Sequence, residues 1–89
     1  MRGTDGEIYI VNVNGGGRRQ LTDNTTEDYN PAWSPNGKRI AYAHDDGNDY
    51  EIFTVRVDGG GRRQFTDNTF DDEDPTYAPS GLKIAFCGL

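Results

Sequence analysis

Few residues in this chain are of types that carry out chemistry, and their spacing rarely suits it. His44 is the single histidine, with no second histidine or cysteine at ligand spacing. Cys87 is the single cysteine, which excludes an internal disulfide framework and a Cys-rich zinc site. Ser34 and Ser80 each sit beside a proline, but no motif supplies a histidine base for either. The Gly-Gly-Gly-Arg-Arg runs at 15–19 and 59–63 resemble phosphate cradles, yet no helical pattern follows to present its N-terminus, so they read as turns. Carboxylates are the abundant chemical group. Asp45-Asp46-Gly47-Asn48-Asp49 and Asp71-Asp72-Glu73-Asp74 offer the oxygens that calcium prefers, without the residue spacing of a dedicated calcium loop. Neither run implies a cofactor; calcium stays an alternative, and metal ligands are not assigned.

The elements that position these groups follow from a repeat. The chain has 89 residues, 33% apolar and 27% charged, with 12 glycines and a formal charge of −6. That length allows one small domain, and the charge disfavours a nucleic-acid phosphate partner. No window approaches the ~20 apolar residues of a membrane-spanning helix, and no basic-then-apolar secretory signal opens the chain. Sliding the sequence by 44 positions carries GGGRRQ at 15–20 onto 59–64, TDNT at 22–25 onto 66–69, Pro31 onto Pro75 and Ile40-Ala41 onto Ile84-Ala85. Of the 45 pairs so compared, 22 are identical. Repeat one is 1–44 and repeat two is 45–89.

A period of ~40–45 residues made of strands is the length of a four-stranded propeller blade. Residues 7–13 and 51–57 are rich in β-branched and aromatic side chains and read as strands. The triple-glycine turn leads into outer strands at 18–22 and 62–66. After an acidic loop, short strands at 30–34 and 74–78 lead through Asn36-Gly37 and Ser80-Gly81 turns into 38–44 and 82–88. The expected fold class is all-β, in propeller blades.

Asn-Pro-Ala-Trp-Ser-Pro-Asn-Gly-Lys-Arg-Ile-Ala-Tyr at 30–42, followed by Glu-Ile-Phe-Thr-Val-Arg-Val-Asp-Gly at 51–59, resembles the TolB-type β-propeller repeat. The second copy, at 74–86, departs at Tyr77 and Ala78 but keeps its prolines, glycine and apolar positions in register. The resemblance implies a propeller, commonly six-bladed, used mostly to bind partners. It also implies a bacterial envelope setting, although the chain carries no export signal, so periplasm and cytoplasm both stay open. The same repeat occurs beside peptidase domains, where it gates access. No peptidase motif is present here, so the chain is not expected to be an enzyme.

Set on such a blade, the strands run third, outer; inner, second, third, outer; inner, second. Only the middle blade is complete. The half blades present edges that suit one another, around Ile8 and Ile10 at one end and Ile84 and Phe86 at the other, with Ile40 and Ile52 in the same strand positions. Head-to-tail pairing of three copies would close six blades as a homotrimer. The alternatives are a calcium- or carbohydrate-binding propeller and a fragment of a larger propeller. Trp33, Tyr42, Tyr77 and Phe86 are expected as core between blades, and Cys87, matching Ala43, as a small buried residue.

Charge sorts by rim. The loops on one rim hold Asp5, Asp23, Glu27, Asp28, Asp45, Asp46, Asp49, Asp67, Asp71, Asp72, Glu73 and Asp74, twelve of the 15 acids. The tight turns on the other hold Arg18, Arg19, Lys38, Arg39, Arg62, Arg63 and Lys83, seven of the 9 bases. The acids either keep rings soluble or attract a basic protein or peptide. For the second role the expected residues are Asp28, Asp45, Asp46, Asp71, Asp72 and Asp74.

Overall fold

The computed structural model describes residues 6–22, 27–45, 47, 49–67 and 71–88. They form eight strands: β1 (Tyr9–Ile10), β2 (Arg19–Gln20), β3 (Asp28–Trp33), β4 (Arg39–Asp45), β5 (Tyr50–Arg56), β6 (Arg63–Gln64), β7 (Asp72–Tyr77) and β8 (Ile84–Gly88). No helix occurs among the described residues, and the protein is all-β. The strands form three antiparallel sheets, β1-β2, β3-β4-β5-β6 and β7-β8.

The 44-residue repeat of the sequence is repeated in the backbone. Tyr9 opposes Gln20 in β1-β2, and Phe53 opposes Gln64 in β5-β6. Trp33 opposes Ile40 in β3-β4, and Tyr77 opposes Ile84 in β7-β8. Both inner strands bulge at the same place, where Asn30 (φ 59°) and Asp74 (φ 55°) take the left-handed conformation that Asn and Asp tolerate best. The proline that follows each has no N–H to give to the ladder, so the irregularity falls where a bond would be missing in any case.

Strand boundaries differ from the sequence expectation in two ways. The inner strands begin two residues early, at Asp28 and Asp72, because the acidic segment before the bulge still pairs with β4 and β8. β1 is only two residues long, whereas β5, its equivalent 44 positions on, has seven. The cause is the neighbour: β5 is bonded along its whole length to β4, and β1 has no such partner among the described residues.

The central sheet buries both faces. On one, Ile40, Tyr42, Phe53 and Val55 form the core with Ile8, and Ile10, Leu21 and Val57 pack around them. The β1-β2 sheet thus lies on this face. On the other, Ala41, Ala43, Ile52 and Thr54 are buried and the β7-β8 sheet packs across them. Bulky side chains cover one face, and on the other Ala41, Ala43 and Thr54 are small enough for the next sheet to pack closely around Ile52. Each buried Ile, Val or Phe contributes about 1.5–3 kcal/mol of burial free energy. The three sheets fan into a flat body of 40 × 39 × 19 Å.

Ile40 and Ile52, expected at assembly edges, lie inside this core, because their sheet is complete within the chain. Ile8 is buried against it too. Tyr42 is core as expected, but Trp33, Phe86 and Cys87 are exposed. Among the described residues, Trp33 faces a sheet of two strands, and Phe86 and Cys87 lie on a strand paired along one edge.

Candidate functional site

The acidic rim is organised by two tyrosines. Tyr50 opens β5 and Tyr29 lies in β3, their rings edge to face with centroids 4.9 Å apart. The Tyr50 hydroxyl donates to Glu27 Oε1, and the Tyr50 backbone N–H donates to Asp71 Oδ1 at 3.1 Å. Tyr29 bonds to Glu73. Glu27 precedes β3, and its carbonyl accepts from Asp45 N at 2.9 Å. These contacts draw Glu27, Asp71 and Glu73, from two successive sheets, into one cluster.

Burial, then the bond to Glu73 and the surrounding carboxylates, pushes the Tyr29 hydroxyl up to about 12. Tyr50 is pushed up as well, first by its bond to Glu27 and then by burial. Carboxylates disfavour a phenolate beside them, so both hydroxyls stay protonated donors. The arrangement can hold several carboxylates in fixed positions against their mutual repulsion.

The expected binding residues divide into two kinds. Asp28 and Asp72, equivalent in the two repeats, are buried; Asp28 pairs with His44 Nδ1. A side chain so enclosed is not presented to a partner, so these two act inside the fold. Asp45 is half-buried and accepts from Gly47 N at 2.8 Å, Asp71 is half-buried against Tyr50, and Asp74 is exposed at the bulge. Asp46 lies outside the described residues. Among the described residues no group of three or more His, Cys, Asp or Glu side chains is arranged to hold a metal ion.

The remaining candidates serve the fold. Ser34 donates to Asn36 Oδ1 at 2.8 Å and accepts from Arg39 N at 3.0 Å, fixing the turn before β4. Arg39 and His44 are five residues apart along β4, roughly 17 Å of extended strand, so Ser34 and His44 form no nucleophile–base pair. His44 instead lies edge-on to Phe53, with centroids 4.9 Å apart. In the triple-glycine turns Gly17 and Gly61 have φ of 65° and 62°, where a side chain would be strained. The arginines after them do not gather around an anion: Arg18 stacks over Tyr9 and Arg62 over Phe53, each at 4.5 Å.

Sequence reasoning missed Tyr29 and Tyr50, which organise the rim, and the Asp28–His44 pair. Identity of Asp28 with Asp72 across the repeat was the available signal for a structural aspartate.

The TolB beta propeller domain model matches residues 1–88. A solved structure titled as putative TolB from Agrobacterium tumefaciens superposes with a TM-score of 0.85 at 30% identity, covering 93% of this chain and 30% of that one. TolB from Acinetobacter baumannii superposes with a TM-score of 0.83 over 99% of this chain and 23% of that one; at 22% identity it shows the fold alone. Dipeptidyl-peptidase 5 of Porphyromonas gingivalis is 46% identical over 41 residues, 46% of this chain and 6% of that protein. Its counterpart in Porphyromonas endodontalis is 47% identical over 36 residues, 40% of this chain and 5% of that one. The chain thus spans only a small part of the relatives and structures it matches. With the matching family model, the repeated blade topology and these neighbours, the chain belongs to the TolB β-propeller family.

Proposed function

We propose that this chain is a non-enzymatic propeller scaffold whose copies assemble head to tail, three giving six blades, and whose acidic rim holds a basic protein or peptide. The observation that carries the binding role is the cluster of Glu27, Asp71 and Glu73 around Tyr29 and Tyr50, which joins successive sheets at one rim. Asp45 and Asp74 extend the negative surface toward solvent. Such a rim raises the local concentration of cationic groups and speeds their encounter, an effect that salt screens.

The test is titration of a fluorescent Lys/Arg-rich peptide at low and high salt. Binding at low salt that weakens with salt, and is lost in a D45N/D71N/D74N variant, supports the reading. Asparagine keeps the acceptor oxygens that Asp45 and Asp71 use and removes the charge at all three positions. Absence of binding at low salt would overturn it.

A second reading has one observation in its favour, the 46% identity over 41 residues with a dipeptidyl-peptidase. In that reading the two blades belong to a longer propeller beside a peptidase domain, and the rim gates its entrance. The chain on its own would then stay monomeric.

A further inference from the structure

The β5-β6 turn gathers positive charge from several parts of the chain. The Arg19 guanidinium, from β2, donates to the Val57 carbonyl. That of Arg39, at the start of β4, donates to the Gly61 carbonyl and, at 2.9 Å, to Thr54 Oγ1. Lys38 is exposed, and its carbonyl accepts the Val57 N–H at 3.0 Å. Arg56 ends β5, and its Nε donates to both Asp58 oxygens at 3.3 Å. Among the described residues Asp58 is the one carboxylate paired with a cation on this rim.

Asp58 shows how the turn receives a carboxylate. Its Oδ1 accepts the Gly60 N–H at 2.8 Å. That bond first, and then Arg56 and Arg19, hold its carboxyl below the ordinary carboxylate range, although the side chain is exposed. One carboxylate against four cations leaves the turn strongly positive. Guanidiniums tethered to carbonyls are fixed in place and keep further N–H groups for another acceptor.

The first repeat closes the same turn without these charges. Asn12 and Asn14 stand where the second repeat has Arg56 and Asp58. Gly16 N donates to Asn14 Oδ1 at 2.8 Å, as Gly60 N does to Asp58. Gly15 N donates to Asn12 O and Gly59 N to Arg56 O, both at 2.8 Å. Neutral side chains therefore suffice to form the turn, and the charges of Arg56 and Asp58 are surplus to folding it.

We infer that this turn docks an acidic segment of a partner protein, whose carboxylates are taken by Arg19, Lys38, Arg39 and Arg56. Asp58 is the resident carboxylate with which an incoming one competes. The cations are strung along a turn and not closed around one point, so several carboxylates fit it better than a single phosphate. A nucleic acid duplex, with one charge per ~1.7 Å of its axis, would run past the turn into the field of a chain of net charge −6. A short acidic segment ends within the positive region. The turn lies at the far end of β5 from Tyr50, so this surface is separate from the acidic rim and does not rest on its reading.

Fluorescence anisotropy of a labelled oligo-glutamate peptide, titrated with the full chain, tests the inference. Binding should appear at low salt and weaken as salt rises. Arg56→Asn should weaken it about threefold or more, and Asp58→Asn should tighten it about twofold or more. Each places in the second repeat the side chain that the first carries there, so the turn is kept, as circular dichroism would verify. Lys38→Gln, at an exposed position, is a further variant that should weaken binding with the fold intact. No binding at low salt, or binding that all three variants leave unchanged, would overturn the inference. An oligonucleotide of equal charge bound more tightly than the peptide would overturn it too, and make the turn a phosphate site.

Discussion

Tyr42 and Phe86 hold the same position in successive sheets, 44 residues apart, yet Tyr42 is 1% exposed and Phe86 44%. Tyr42 stacks on Phe53 of the neighbouring strand, with centroids 6.1 Å apart and planes 27° from parallel. Among the described residues Phe86 has a strand on one side only. The difference lies in the neighbours, since both side chains are aromatic and both stand on a second strand of a blade.

Phe86→Ser should therefore leave the single chain's core in place and weaken self-association by at least tenfold, about 1.4 kcal/mol. Analytical ultracentrifugation over a concentration series reads the change. Ile52→Asp should behave otherwise. Ile52 is wholly enclosed in the central sheet, and an unpaired charge there should unfold the chain. Circular dichroism separates the two outcomes, and a folded I52D protein would contradict the packing described.

Asp28 and His44 make a buried pair across β3 and β4. Removing the histidine leaves a buried carboxylate with one fewer partner, which costs about 3–5 kcal/mol when a buried pair is broken. His44→Ala should lower stability to denaturant by an amount of that order. A change under about 1 kcal/mol would show that Asp28 is satisfied by its other contacts.

Alkaline pH should loosen the rim. Tyr29 is raised from 10.0 to about 12, so between these values the unfolded chain releases the proton that the folded chain keeps. Stability from this group is whole below pH 10 and falls as pH rises toward 12. Tyr50, Tyr42 and Tyr77 are shifted the same way and act in the same direction. Tyr29→Phe should flatten the loss between pH 10 and 12, as read by urea unfolding at stepped pH. An unchanged slope would remove Tyr29 from the account.

Much of this was legible because the sequence repeats. GGGRRQ, the paired prolines and the Ile-Ala steps set turns and strand order, and the sheets follow that order. Strand ends were less legible, since β1 and β5 share a pattern and differ in length through a partner that sequence does not display. The acidic rim could be located but not sorted. Asp28 and Asp74 read alike as loop acids, and only the pairing with His44 and the bulge geometry separate a buried aspartate from an exposed one. Tyr29 and Tyr50 gave no signal at all, because the contact joins β3 and β5, strands separated by β4 in the sheet.

The central claim is that copies of the chain complete one another's sheets. Light-scattering mass of the purified 89-residue chain tests it directly. A species of about 30 kDa, three times the 9.9 kDa chain, is the expected result. A folded, monodisperse species at 9.9 kDa across the accessible concentration range would contradict it.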